Sequence, residues 1–226
     1  SAMPPAYEKF FPKQSFYPNQ KEAMDRIYEA FAAGRLVLFE GACGTGKTLS
    51  ALAPALATGR EKNKRIIIAT NVHQQMEQFI QEAREIKAIA DIKVAVVMGK
   101  MHMCPLEKDY DECNLLRENT FELLELERDI ATLKLKDKEA STKRGDPAFA
   151  DLRHTIAGEV AAGQDRIALL KKRSCPYLMA VVKGDNTGFR DWLFQGVRSP
   201  EDVAEEAVKK HQCGYELLKR YLKEAG

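Results

Sequence analysis

The stretch that most constrains this chain is Leu36-Val37-Leu38-Phe39-Glu40-Gly41-Ala42-Cys43-Gly44-Thr45-Gly46-Lys47-Thr48. An apolar run there opens into Gly-x-x-x-x-Gly-Lys-Thr and then into the helix-prone Leu49-Ser50-Ala51-Leu52-Ala53. A glycine-rich turn between a strand and a helix aims backbone N–H groups at an anion, its lysine reaches the β- and γ-phosphates, and its hydroxyl ligates Mg²⁺. Gly41, Cys43, Gly44, Thr45 and Gly46 therefore form the cradle, and Lys47 and Thr48 carry the phosphate and metal roles. The motif specifies a nucleoside triphosphate and leaves its use open.

The surrounding chain predicts an α/β fold. Arg35 to Glu40, Arg65 to Thr70 and Val94 to Met98 are short and mostly apolar, as strands buried on both faces of a parallel sheet are. Between them lie the phosphate-loop helix and a helix with Met76, Phe79, Ile80, Ala83 and Ile86 turned inward. Such alternation predicts right-handed βαβ units. Upstream, a proline-punctuated aromatic segment leads into a helix from about Pro18 to Ala33, opened by Gln20. That glutamine is either exposed or reads the amide edge of adenine.

After Met98 the pattern changes. Leu116, Leu123 and Ile130 are spaced by heptads, as are Leu126 and Leu133, which predicts an amphipathic helix over 115–135. A second helix over 148–172 completes an antiparallel pair, joined by a charged loop from Lys136 to Pro147. Ser199-Pro200-Glu201-Asp202 is a helix start, and Tyr215 to Leu222 begins another helix. The organisation expected is an expression scar over 1–3, a nucleotide-binding domain over 4–99 and a mainly helical domain over 100–226, with the helical pair at 115–172.

Composition narrows the classes. A net charge of +2 gives no global basic field, so nucleic acid must be met by local grooves, and the clusters at Lys134 to Arg144 and Lys171 to Arg173 read first as solvated helix faces. No apolar stretch reaches membrane-span length and no secretory leader is recognisable, so no membrane partner and a cytoplasmic location are expected.

Four of the five cysteines, Cys104, Cys113, Cys175 and Cys213, fall in the second half. In a cytosolic protein they are poor candidates for disulfides, leaving a metal or cluster site against four unrelated buried thiols. The absence of a Cys-x-x-Cys pair disfavours a ribbon-type zinc site. His102 and His211 each stand two residues before a cysteine and keep a mixed-ligand Zn²⁺ site open. An all-thiolate set of four suits a [4Fe–4S] cluster.

These residues carry a resemblance. Tyr17-Pro18-Asn19-Gln20, the loop ending in Thr48, Ile68-Ala69-Thr70-Asn71-Val72-His73-Gln74-Gln75 and Gly99-Lys100-Met101-His102-Met103-Cys104 follow one another as in the XPD/DinG-type iron–sulfur helicases of superfamily 2. Ser174-Cys175-Pro176-Tyr177 and Gln212-Cys213-Gly214-Tyr215 resemble that family's third and fourth cluster cysteines. The resemblance implies a partial RecA-like parallel sheet with a helical iron–sulfur insertion. It also implies that Gln20 reads adenine, that ATP and Mg²⁺ sit on Gly44 to Thr48, and that Cys104, Cys113, Cys175 and Cys213 hold a 4Fe–4S cluster. Thr70, Asn71, His73 and Gln74 would then face single-stranded DNA, with forked duplex DNA as substrate and DNA repair as a setting. The family's Asp-Glu-Ala-His segment does not occur in this sequence. The resemblance thus implies the N-terminal portion of an ATP-dependent DNA helicase, lacking turnover alone and completed in cis by the remaining motor domain. The alternatives are an ATP-independent nucleic-acid-binding module with structural zinc and, less favoured, a small phosphotransferase.

Overall fold

The structure, a computed structural model, describes residues 3–42, 44–142 and 147–225. Among these every regular element is helical. The α-helices are α1 (Gln20–Ala32), α2 (Lys47–Glu61), α3 (His73–Ile89), α4 (Tyr110–Ser141), α5 (Pro147–Lys171), α6 (Pro176–Lys183), α7 (Thr187–Gln195), α8 (Pro200–Lys209) and α9 (Gly214–Tyr221). Short 3-10 turns occupy Ala6–Phe10, Lys100–Met103 and Leu222–Glu224.

The expected α/β architecture is not found. The stretches Arg35 to Glu40, Arg65 to Thr70 and Val94 to Met98 have no regular secondary structure, and no strand or sheet occurs among the described residues. An apolar run becomes a strand only where a neighbour completes its hydrogen bonds, and these three do not pair with one another. Leu36 and Leu38 are accordingly 99% and 100% exposed and Ile67 is 91% exposed, where double-sided burial was expected.

The chain divides into two compact units. One comprises the described residues up to Val97 with Asn186–Val203 and Leu218 onward; the other comprises Met98–Asp185 and Ala204–Leu217. In the first, the N-terminal aromatic segment supplies core rather than linker. Tyr7 and Phe10 are fully buried, and they pack with Met24 of α1, Leu49, Ala53 and Ala57 of α2, and Ile80, Ala83 and Ile86 of α3. Phe11 stacks on Phe16 at 4.2 Å. Burying side chains of this size is worth roughly 1.5–3 kcal/mol each, so the segment clamps α1 against α2. The Tyr7 hydroxyl donates to Asp25 and accepts from Lys21 Nζ at 3.2 Å. Lys21 also donates to Glu8 at 2.9 Å.

In the second unit α4 and α5 form the antiparallel pair. Arg166 meets Glu122 at 2.7 Å and Arg153 meets Asp137 at 2.9 Å, and Gly163 faces Ile130, so the two sequences run in opposite directions past each other. Helix α4 is longer than expected at both ends. Asp109 accepts from the Glu112 N–H at 2.8 Å while Glu112 accepts from the Asp109 N–H at 3.3 Å, a capping box that starts the helix at Tyr110. At the other end it runs through much of the predicted Lys136 to Pro147 loop to Ser141; residues 143–146 of that loop lie outside the described residues.

Candidate functional site

The nucleotide loop is built as the sequence demands at its helical end. Gly46 precedes α2 with φ +70 and Gly44 has φ +77, a backbone region that glycine enters without a Cβ penalty. At Gly46 a Cβ would also lie 2.5 Å from Gln20 Nε2 and 3.2 Å from the Tyr17 ring, so space and backbone both require glycine. The Lys47 ammonium donates back to the Gly41 carbonyl, and Thr45 Oγ1 donates to the Ala42 carbonyl at 2.8 Å. Thr48 lies in the first turn of α2, partly buried. Cys43, assigned to the cradle, lies outside the described residues.

Gln20 is buried and spent on the loop itself. Its Nε2 donates to the Gly46 carbonyl at 3.3 Å and to Ser50 Oγ at 3.2 Å, while its Oε1 accepts from the Tyr17 N–H at 3.0 Å. Both amide donors are therefore used, and contact with adenine through Nε2 requires an exchange of bonds. Gln20, Gly44, Gly46, Lys47 and Thr48 line one cavity of 450 Å³, a volume within the range of small-molecule sites. Its remaining walls include Tyr17, Lys13 and one stripe of α3, formed by Gln75, Gln78 and Glu82. Those three positions are at i, i+3 and i+7 and share a helix face.

Sequence reasoning missed Glu82. Its Oε2 is buried without a hydrogen-bond partner, 3.8 Å from the Lys13 ammonium, which itself donates to Glu85. Burial raises the Glu82 carboxyl above its ordinary value, opposed by Lys13 and assisted by Glu85. The signal that could have found it is the i, i+3, i+7 stripe opposite the apolar face of α3.

Thr70, Asn71, His73 and Gln74 are all exposed at the start of α3. The Thr70 hydroxyl bonds Gln75 Oε1 at 2.7 Å and accepts from the Val72 N–H at 3.3 Å, which fixes the turn into the helix.

In the second unit Cys104, Cys113, Cys175 and Cys213 line a single cavity of 30 Å³. Each is held by local structure. Cys104 ends the turn Lys100–Met103, and Cys113 lies in the first turns of α4. Cys175 caps α6, its Sγ accepting from the Leu178 N–H at 3.4 Å, while its own N–H donates to the wholly buried Thr120 hydroxyl at 2.8 Å. The Cys213 N–H donates to the Tyr177 carbonyl at 3.2 Å. Burial raises the thiols of Cys113 and Cys175, and pushes that of Cys213 up to about 11. Lys100 and Arg117 line the same cavity and can offset thiolate charge.

No group of three or more His, Cys, Asp or Glu among the described residues is gathered to hold a metal ion. The four cysteines share the lining of one cavity.

A family model for the DEAD/DEAH box helicases matches residues 17–138, more than half of the 226-residue chain. This chain belongs to the DEAD/DEAH box helicase family. Within it, this helicase chain is 34% identical over 90 residues to the probable ATP-dependent helicase MJ0942 of Methanocaldococcus jannaschii. That match covers 40% of the chain and 13% of the archaeal helicase. No solved structure matches the chain. Membership of a DEAD/DEAH helicase family implies ATP, Mg²⁺ and nucleic acid as ligands. No described helix of this helicase chain is long and apolar enough to cross a membrane.

Proposed function

We infer that the chain is the ATP-gripping and cluster-bearing portion of a DNA helicase of the XPD/DinG iron–sulfur type. The observation that carries this reading is the convergence of Cys104, Cys113, Cys175 and Cys213, distant in sequence, on one cavity in a chain that also bears a phosphate loop. A cluster held there supplies cross-linking between these segments, and its assembly would displace the protons that burial favours on the thiols.

At the loop, Lys47, which donates to the Gly41 carbonyl, would turn to neutralise the β- and γ-phosphates, the N–H groups from Gly44 to Thr48 would hold their oxygens, and the Thr48 hydroxyl would help hold Mg²⁺. Mg²⁺ would supply charge neutralisation between the phosphates. Thr70, Asn71, His73 and Gln74 contact single-stranded DNA from the start of α3. A helicase of this type meets forked duplex DNA in the cytoplasm and serves DNA repair. The acid that orients water and the second motor domain would come from the remainder of a longer protein. The chain alone therefore binds nucleotide weakly and turns it over negligibly.

Single-stranded DNA binding, titrated with and without ATP, tests the reading. DNA affinity that changes with ATP and is lost on Asn71→Ala supports it. Affinity that ignores ATP in a protein carrying one zinc assigns the chain to a nucleic-acid-binding module instead.

A further inference from the structure

One cation on the cysteine cavity carries a buried donor that its neighbours do not use. Arg117 lies on α4 four residues after Cys113, so the two share a helix face, and both line the cavity. Its Nε–H is buried without a hydrogen-bond partner among the described residues. Glu216, in the first turn of α9 just after Cys213, brings Oε1 only to 3.6 Å from that nitrogen, outside hydrogen-bond reach. The guanidinium stands over the Phe121 ring at 5.1 Å, a cation–π contact that holds the group without using an N–H. Lys100, on the same cavity, is placed over the rings of Tyr110 and Tyr215 instead. A buried donor left unpaired is costly, and native proteins retain few of them. Thiolates joined to iron gather negative charge on sulfur, which is the acceptor chemistry such a donor requires.

Resting on the cluster reading above, we propose that Arg117 sets the reduction potential of the cluster, its Nε–H donating to a cluster sulfur while Glu216 opposes it from α9. Hydrogen bonds to sulfur and local net charge are the levers by which a protein tunes an iron–sulfur potential. An added electron makes the centre more negative, so a cationic donor favours the reduced state and a carboxylate disfavours it. Arg117 ligates no iron: it is a positioning residue that acts through the sulfurs.

An electrochemical redox titration of the full chain, purified without oxygen and followed by absorbance and electron paramagnetic resonance, tests the proposal. Arg117→Gln should shift the reduction equilibrium about tenfold toward the oxidised state, the worth of a charge-assisted hydrogen bond, which for one electron lowers the potential by about 59 mV. Arg117→Lys keeps the charge and should lower it less; it stands in should the glutamine variant lose the cluster. Glu216→Gln should raise the potential, a change of sign that damage to packing does not produce. A potential indifferent to both Arg117 substitutions overturns the proposal, as does a fall for Glu216→Gln equal to that for Arg117→Gln. If iron and sulfide contents stay at the parent's level, those outcomes remove the role of Arg117 alone. If the parent holds no iron and sulfide, the cluster reading falls and this proposal with it.

Discussion

The side-chain amide of Gln20 donates to the carbonyl oxygen of Gly46 at 3.3 Å, across 26 positions of sequence. This bond ties the first turn of α1 to the residue that precedes α2, and the aromatic segment before α1 anchors both. Tyr7 and Phe10 are wholly buried among side chains of α1, α2 and α3. The loop is thus supported from below by core packing, not by glycine flexibility alone.

Gly46→Ala should disable the loop. The new Cβ would meet Gln20 Nε2 at 2.5 Å in a residue with φ +70, and left-handed strain alone is of order 1–3 kcal/mol. Thermal unfolding is expected to shift down and binding of ATP and tripolyphosphate to disappear together.

Lys47→Ala should separate binding from stability. The ammonium is held by the Gly41 carbonyl, a partly buried contact whose net worth is about 0.5–1.5 kcal/mol. The melting temperature should therefore change little, while nucleotide-dependent stabilisation, measured by the same melt with ATP and Mg²⁺, should vanish.

Tyr7→Phe tests the N-terminal clamp. It keeps the buried ring and removes the bonds to Asp25 and Lys21, so a loss of about 1 kcal/mol is expected in denaturant unfolding. Tyr7→Ala removes the ring as well and should cost roughly 3–5 kcal/mol, by analogy with other buried aromatic truncations.

Glu82 sets a pH dependence. Folding raises its carboxyl above the ordinary value because of burial. A group raised in this way favours the fold below its unfolded value, and that contribution is lost as pH climbs through the folded value. Ionisation of Glu82 therefore weakens the nucleotide-free protein. Glu82→Gln should melt higher than the parent near pH 7, with the difference shrinking toward about pH 4.

Much of the helical framework is legible in the sequence, because periodicity and caps are local. The Ser199-Pro200 start of α8 is observed, with the Ser199 hydroxyl accepting from the Asp202 N–H at 3.1 Å and Asp202 accepting in return from the Ser199 N–H at 2.8 Å. The α4 and α5 pair follows from its heptad leucines. Strands are not local in this sense: the apolar character of Leu36 to Phe39 and Ile66 to Ile68 cannot provide a hydrogen-bonding neighbour, and no sheet forms among the described residues. Helices α6 and α7 were masked by their brevity and by the Gly184-Asp185-Asn186 turn between them. The glycine, lysine and threonine positions of the loop are legible because the motif is contiguous. Glu82 is only partly legible: its place on one stripe of α3 with Gln75 and Gln78 follows from the spacing, but the burial of its oxygen does not.

The four cysteines carry the central claim. Their spacing gives no short-range motif, and only the fold brings them to one cavity. The supporting bond from the Cys175 N–H to Thr120 should matter to whatever they hold: Thr120→Val leaves that buried donor unpaired, a loss of about 1–3 kcal/mol, and should lower metal retention without removing a ligand. The most direct measurement is iron, acid-labile sulfide and zinc content of the chain purified without oxygen. The account predicts a yellow-brown protein with about four irons and four sulfides per chain, bleached by serine at Cys104, Cys113, Cys175 or Cys213. A colourless protein with one equivalent of zinc, or a metal-free one indifferent to those substitutions, would contradict it.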